Sequence, residues 1–118
     1  MNTLIIGASD KPQRYAYKAL QLLLSNGHDV YALAKRKMEI SGIKVYSEMQ
    51  LFEDIHTITL YISAKFQPEY YDYILELKPK RVIFNPGTEN PELFRILDEN
   101  GIDYEIACTL VMLHTKQY

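Results

Sequence analysis

A short apolar run, Leu4-Ile5-Ile6, breaks at Gly7-Ala8-Ser9 into a polar loop, Asp10-Lys11-Pro12-Gln13-Arg14, and this stretch is the one best built to meet an anion. Gly7 lets the backbone come close to a ligand, and N–H groups of the turn and of a helix starting just beyond it can point at a phosphate; the alternative is that the small residues serve helix–sheet packing only. A second stretch with chemistry in it is Lys35-Arg36-Lys37. Three adjacent cations offer charge-assisted donors, and the arginine fork suits a pair of phosphate oxygens. Cys108 is the single thiol and stands at the expected start of a helix, where a thiol can serve as a nucleophile. No His or acidic partner is spaced to work with it, so packing is the simpler role. His28, His56 and His114 are scattered and give no metal-ligand spacing. None of the three is placed as a catalytic base.

These residues need elements to hold them, and the hydrophobic pattern supplies alternating strands and helices. The predicted first strand is Thr3 to Gly7, and the first helix runs from Tyr15 to Asn26, with Ala16, Ala19, Leu20, Leu23 and Leu24 on one face and Asn26-Gly27 as its stop. The second strand is His28 to Ala34, too continuously apolar to be half exposed. An extended piece from Ile43 to Tyr46 and a helical turn from Ser47 to Glu53 lead to the third strand, Thr57 to Ile62, which is rich in β-branched residues. The next helix begins around Gln67-Pro68 and ends before Pro79. The fourth strand, Arg81 to Asn85, breaks at Pro86-Gly87, and Asn90-Pro91-Glu92 opens a helix with a cap, a first-turn proline and an acid at the positive helix end. That helix closes at Asn100-Gly101. A fifth strand, Asp103 to Ile106, precedes a last helix from Ala107 or Cys108 to His114.

Helical connections between successive strands require parallel pairing with right-handed crossovers, so the expected architecture is an α/β, doubly wound, five-stranded parallel sheet in one domain spanning 1–118. The expected strand order is 3-2-1-4-5, with Gly7, Ala34, Ser63 and Gly87 converging at one edge. Ligands in such sheets sit at the carboxyl ends of the strands, near the switch in strand order. The residues there are Gly7-Ala8-Ser9, Lys35-Arg36-Lys37, Ser63-Ala64-Lys65, Pro86-Gly87-Thr88 and Ala107-Cys108-Thr109. An enzyme using unphosphorylated NAD wants an acidic residue after the second strand. Here three basic residues stand instead, which favours an adenosine ribose carrying an extra phosphate, as both NADP and coenzyme A (CoA) do.

Composition narrows the classes further. The chain has 118 residues, 47% of them hydrophobic, enough for one core but not for a second, substrate-carrying domain. A net charge of −2 without a long basic run leaves no footprint for nucleic acid, and no apolar stretch approaches a membrane span. With one cysteine and no secretory signal pattern, a cytoplasmic location is expected.

Gly7-Ala8-Ser9 followed by Pro12, Arg14 and Tyr17 resembles the opening G-A-S-x-x-P-x-R-x-x-Y of the small stand-alone CoA-binding-domain proteins. Gly27-His28-Asp29-Val30-Tyr31, Gly42-Ile43-Lys44-Val45-Tyr46, the Gly87 loop, Gly101-Ile102 and Cys108 continue the resemblance along the chain. It implies a Rossmann-like fold similar to the nucleotide-binding domain of the succinyl-CoA synthetase alpha chain. It also implies CoA or an acyl-CoA as ligand, with the Gly7-Ala8-Ser9 turn toward the diphosphate and Lys35 to Lys37 toward the adenosine end. The expected cofactor-binding set is therefore Gly7, Ala8, Ser9, Lys11, Pro12, Arg14, Tyr17, Lys35, Arg36, Lys37, Ser63, Pro86, Gly87 and Cys108. The expected function is a nucleotide-binding module without catalysis, which leaves room for a homo-oligomer or a separate partner protein. The alternatives are a small NADP-type oxidoreductase or sensor, and an interaction module that keeps the fold without the ligand.

Overall fold

The apolar runs become the centre of a seven-stranded sheet. In the computed structural model, which describes residues 1–118, the elements are β1 (Thr3–Ile6), α1 (Tyr15–Ser25), β2 (Val30–Leu33), β3 (Met38–Ile40), β4 (Ile43–Tyr46), β5 (Thr57–Leu60), α2 (Tyr71–Leu77), β6 (Arg81–Phe84), α3 (Pro91–Glu99), β7 (Asp103–Ile106) and α4 (Thr109–His114). The strand order is β3-β4-β2-β1-β5-β6-β7. Every pairing is parallel except the edge hairpin β3–β4. β1 lies at the centre, where all four of its residues are fully buried.

Alternate residues of the strands feed two layers, as the period of two requires. Leu4 and Ile6 of β1 join Ile58, Leu60, Val82 and Phe84 beneath α2 and α3, where Ile74, Leu93 and Leu97 complete the layer. Ile5 points the other way, into a layer with Ala32, Val45, Leu20, Leu23 and Leu113 under α1 and α4. α3 begins as the capping signal requires: the Asn90 side chain accepts from the Leu93 N–H at 3.4 Å, with Pro91 in the first turn. No helix is long and apolar enough to cross a membrane.

The doubly wound parallel class holds, and four expectations are corrected. The sheet has seven strands rather than five, because Ile43–Tyr46 pairs parallel with β2 (Ala32 with Val45, Leu33 with Tyr46) and Met38–Ile40 folds back on it as a hairpin. The strand from Thr57 consequently cannot lie outside β2, where the expected order put it. That place is taken by β4, and β5 pairs instead with the opposite side of β1, Thr3 against Thr57 through Ile6 against Leu60. No helical turn forms between Ser47 and Glu53, and the helix expected from Gln67 opens as a 3₁₀ turn, Pro68–Tyr70, before α2, with a further 3₁₀ turn at Ala64–Phe66 ahead of it.

Candidate functional site

Because β2 lies on one side of β1 and β5 on the other, the connections leaving β1 and β5 diverge and open a crevice above the sheet. Gly7 turns the chain there with φ +99°. A Cβ at this position would stand 2.8 Å from Ile62 Cγ2 and 2.9 Å from the Tyr61 carbonyl carbon and oxygen. Packing against the end of β5 therefore requires glycine. The Gly7 and Ala8 N–H groups both donate to the Leu33 carbonyl at 3.0 Å, which ties the turn to the end of β2. The donors left over are the N–H groups of Ser9 and Asp10, which have no partner within the protein. Lys11 N–H donates to Ser9 Oγ at 3.1 Å and closes the loop. α1 starts just beyond, with Arg14 as its N-cap in extended conformation and neither a side-chain cap nor an acid in its first turn. Its first N–H groups face outward unpaired, as at any uncapped helix start.

The crevice is a cleft of about 310 Å³. Gly7, Ala8, Ser9, Asp10, Lys11 and Arg14 form one wall, Ala34, Lys35, Arg36 and Met38 a second, and Tyr61, Ile62, Phe66, Glu69 and Tyr70 the third. Lys11, Arg14, Lys35 and Arg36 outnumber Asp10 and Glu69, so the cleft is net cationic. Arg36 Nη2 donates to Asp10 Oδ2 at 3.1 Å across the opening, an exposed ion pair that costs little to open. Lys35 Nζ lies 5.0 Å and Lys65 Nζ 4.9 Å from the centre of the Phe66 ring, close enough for cation–π attraction. The third wall is braced by Gln67, fully buried, whose Nε2 donates to the Ile62 and Thr88 carbonyls at 3.0 and 2.8 Å. Gln67 Oε1 in turn accepts from Asn90 Nδ2 at 2.9 Å, so the loops after β5 and β6 are locked together. Burial pushes the Tyr61 phenol far above its usual range.

Of the fourteen residues singled out from sequence, the cleft brings together Gly7, Ala8, Ser9, Lys11, Arg14, Lys35 and Arg36. Lys37 falls outside, in a separate cavity with Lys44, Tyr46 and Glu48. Pro12 and Tyr17 face a groove between α1 and α4. Ser63 is exposed and its carbonyl accepts from the Phe66 N–H at 3.0 Å, opening the first 3₁₀ turn. The exposed Gly87 N–H donates to Glu89 Oε1 at 2.8 Å. Pro86 and Cys108 line a separate cavity with Tyr15, Tyr61 and Val111. Sequence reasoning missed Asp10, Met38, Tyr61, Ile62, Phe66, Glu69 and Tyr70. Tyr61 and Ile62 were visible as the tail of a strand, whereas Phe66 to Tyr70 enter only because 3₁₀ turns fold that segment back over the rim.

A profile of the CoA binding domain matches residues 1–114. Among solved structures, a crystal structure of an uncharacterized protein is 50% identical over 99% of this chain and 97% of that one, with a TM-score of 0.96. A hypothetical protein from Pyrococcus horikoshii OT3 is 29% identical over 98% and 82% of the two chains, with a TM-score of 0.86. A dinucleotide-forming acetyl-coenzyme A synthetase from Ca. Korarchaeum cryptofilum, in complex with phosphate and ADP, is 19% identical over 90% of this chain and 25% of its own, with a TM-score of 0.76, and shares the fold. No curated protein matches the sequence.

Proposed function

From the premise that this chain belongs to the CoA-binding domain family, we propose that the cleft above β1, β2 and β5 holds the nucleotide end of CoA or an acyl-CoA, in a domain that binds without chemistry of its own. The observation that carries the reading is the convergence of free backbone donors and four cations on one crevice at the switch in strand order. The diphosphate is assigned to the Ser9 and Asp10 N–H groups, the uncapped start of α1, and the side chains of Lys11 and Arg14. Lys35 and Arg36 take the ribose phosphate, Arg36 exchanging Asp10 for it. Met38, Ile62 and Phe66 offer the adenine an apolar floor with an aromatic face.

Neither Gly7 nor Ala8 is assigned an N–H contact to phosphate, since the Leu33 carbonyl already occupies both donors. They shape the crevice. Calorimetry with CoA, NADP and NAD tests the reading, and CoA should bind most tightly. A clear preference for NADP would favour a small oxidoreductase or sensor, and absent heats for all three would favour an interaction module.

A further inference from the structure

Beyond the nucleotide cleft, a second cavity of about 470 Å³ opens on the same rim. Tyr61 forms part of both, so the two meet along one aromatic wall. The second cavity lies past the ends of β6 and β7, where Asn85, Pro86 and Cys108 stand, and is closed by Tyr15 from α1 and Val111 from α4. Its lining is predominantly apolar; it contains no Lys, Arg, Asp or Glu, and its one basic side chain is His114 at the end of α4. Tyr15 and Val111 stand at its mouth, 69% and 56% exposed.

The spacing identifies an occupant. From the turn after β1 to the ends of β6 and β7 is two to three strand spacings, about 10–14 Å at roughly 4.8 Å per strand. The pantetheine arm of CoA has the length of roughly four peptide residues, a reach of about 14 Å when extended. A diphosphate held at Ser9 and Asp10 thus delivers its sulfur end to this cavity. We infer that the cavity walled by Tyr15, Tyr61 and Val111 receives the acyl group of a short, uncharged acyl-CoA. The inference rests on the CoA reading of the neighbouring cleft and adds the class of acyl group. A dicarboxylic acyl group would bring a carboxylate into a lining whose one basic side chain is the exposed His114 imidazole, with no Lys or Arg to pair with it, and burying a poorly paired charge is costly.

Calorimetric titration of the full chain with CoA, acetyl-CoA, butyryl-CoA and succinyl-CoA tests this directly. Each buried methylene should tighten binding by roughly fourfold, so butyryl-CoA should bind on the order of tenfold more tightly than acetyl-CoA, with succinyl-CoA no better than CoA. Val111→Trp, which fills the mouth, should bring the ratio of CoA to butyryl-CoA affinities close to one. Val111→Asp should do the same through charge, on a helix face open enough to tolerate it. Equal affinities for CoA and butyryl-CoA in the unaltered protein, with CoA still bound, would overturn the inference and leave the nucleotide cleft standing. No binding of any of the four would instead remove the CoA reading itself. A preference for succinyl-CoA, or acyl preference surviving in both variants while light scattering shows a change in mass, would also overturn it, the latter by marking the face as a contact between copies.

Discussion

Gly7 illustrates how a residue expected to serve a ligand can be required by the protein first. Its φ of +99° and the 2.8 Å and 2.9 Å approaches of an added Cβ to Ile62 and the Tyr61 backbone act before any phosphate arrives. Gly7→Ala should therefore destabilise the fold by at least roughly 1–3 kcal/mol, the cost of a strained backbone position. Urea denaturation measures it, and an unchanged midpoint would contradict the packing account. Lys35 and Arg36 make the opposite case, being exposed and held only by weak contacts. Replacing both with Ala should leave stability nearly unchanged and weaken CoA about tenfold, while dephospho-CoA, which lacks the ribose phosphate, should lose little. The difference should shrink with added salt, as screening of exposed charges requires. Lys37→Ala, outside the cleft, should affect neither ligand. Equal losses for CoA and dephospho-CoA would reduce the basic loop to general surface charge.

Among the elements, the junction of β5, β6 and α4 is organised by Asn85. Its Nδ2 donates to Thr59 Oγ1 at 2.7 Å and to the Leu60 carbonyl at 2.8 Å, while its Oδ1 accepts from the Thr109 N–H at 2.9 Å. The Thr59 and Thr109 hydroxyls meet at 2.8 Å. All of this is buried. Asn85→Ala would strand several polar groups away from water and should cost about 3 kcal/mol, readable as a lowered urea midpoint; a loss below about 1 kcal/mol would show that the network is dispensable. This hub was not legible beforehand, because an Asn ending a strand before Pro-Gly reads as a turn residue. The long, strongly patterned elements were legible: α1 from its apolar face, α3 from Asn90-Pro91-Glu92, and the buried strands from their β-branched runs. What escaped was short or set by neighbours. Ile43–Tyr46 reads as extended but, brief and interrupted by Lys44, not as a member of the sheet, and Met38–Ile40, interrupted by Glu39, reads as loop. Yet the pairing of Ile43–Tyr46 on β2, with Met38–Ile40 folded back on it, decides on which side of β1 the chain continues. The partnership of the Gly7 and Ala8 N–H groups with Leu33 likewise depends on register between strands, which local pattern does not encode.

Across the whole molecule the two ends of the sheet have separate tasks. The carboxyl end carries both cavities, and the amino end is closed by the chain termini. There the Tyr118 hydroxyl meets Thr3 Oγ1 at 2.6 Å, and its ring packs edge-on to His28 and beneath the Arg81 guanidinium. The Met1 ammonium donates to His28 Nδ1 at 2.7 Å. Burial, and then the positive N-terminus and Arg81, hold His28 below the ordinary histidine range, while burial, Arg81 and Lys80 do the same for His56. Both rings are thus favoured neutral in the folded state, and the unfolded chain binds their protons more readily. Stability from this source is present above about pH 6.5 and should fall as pH drops through the lowered pKa values. Melting temperatures between pH 5 and 8 check the sign; a Tm that stays flat or rises on acidification would contradict it.

The separation of ends also gives the central claim its sharpest test, an amide chemical-shift titration of the isotopically labelled protein with CoA. The account predicts the largest shifts at Ser9, Asp10, Lys35, Arg36 and Ile62, smaller ones at Cys108 and Val111, and none at His28 or His56. Saturable shifts confined to the amino end of the sheet, or no shifts at millimolar CoA, would contradict it.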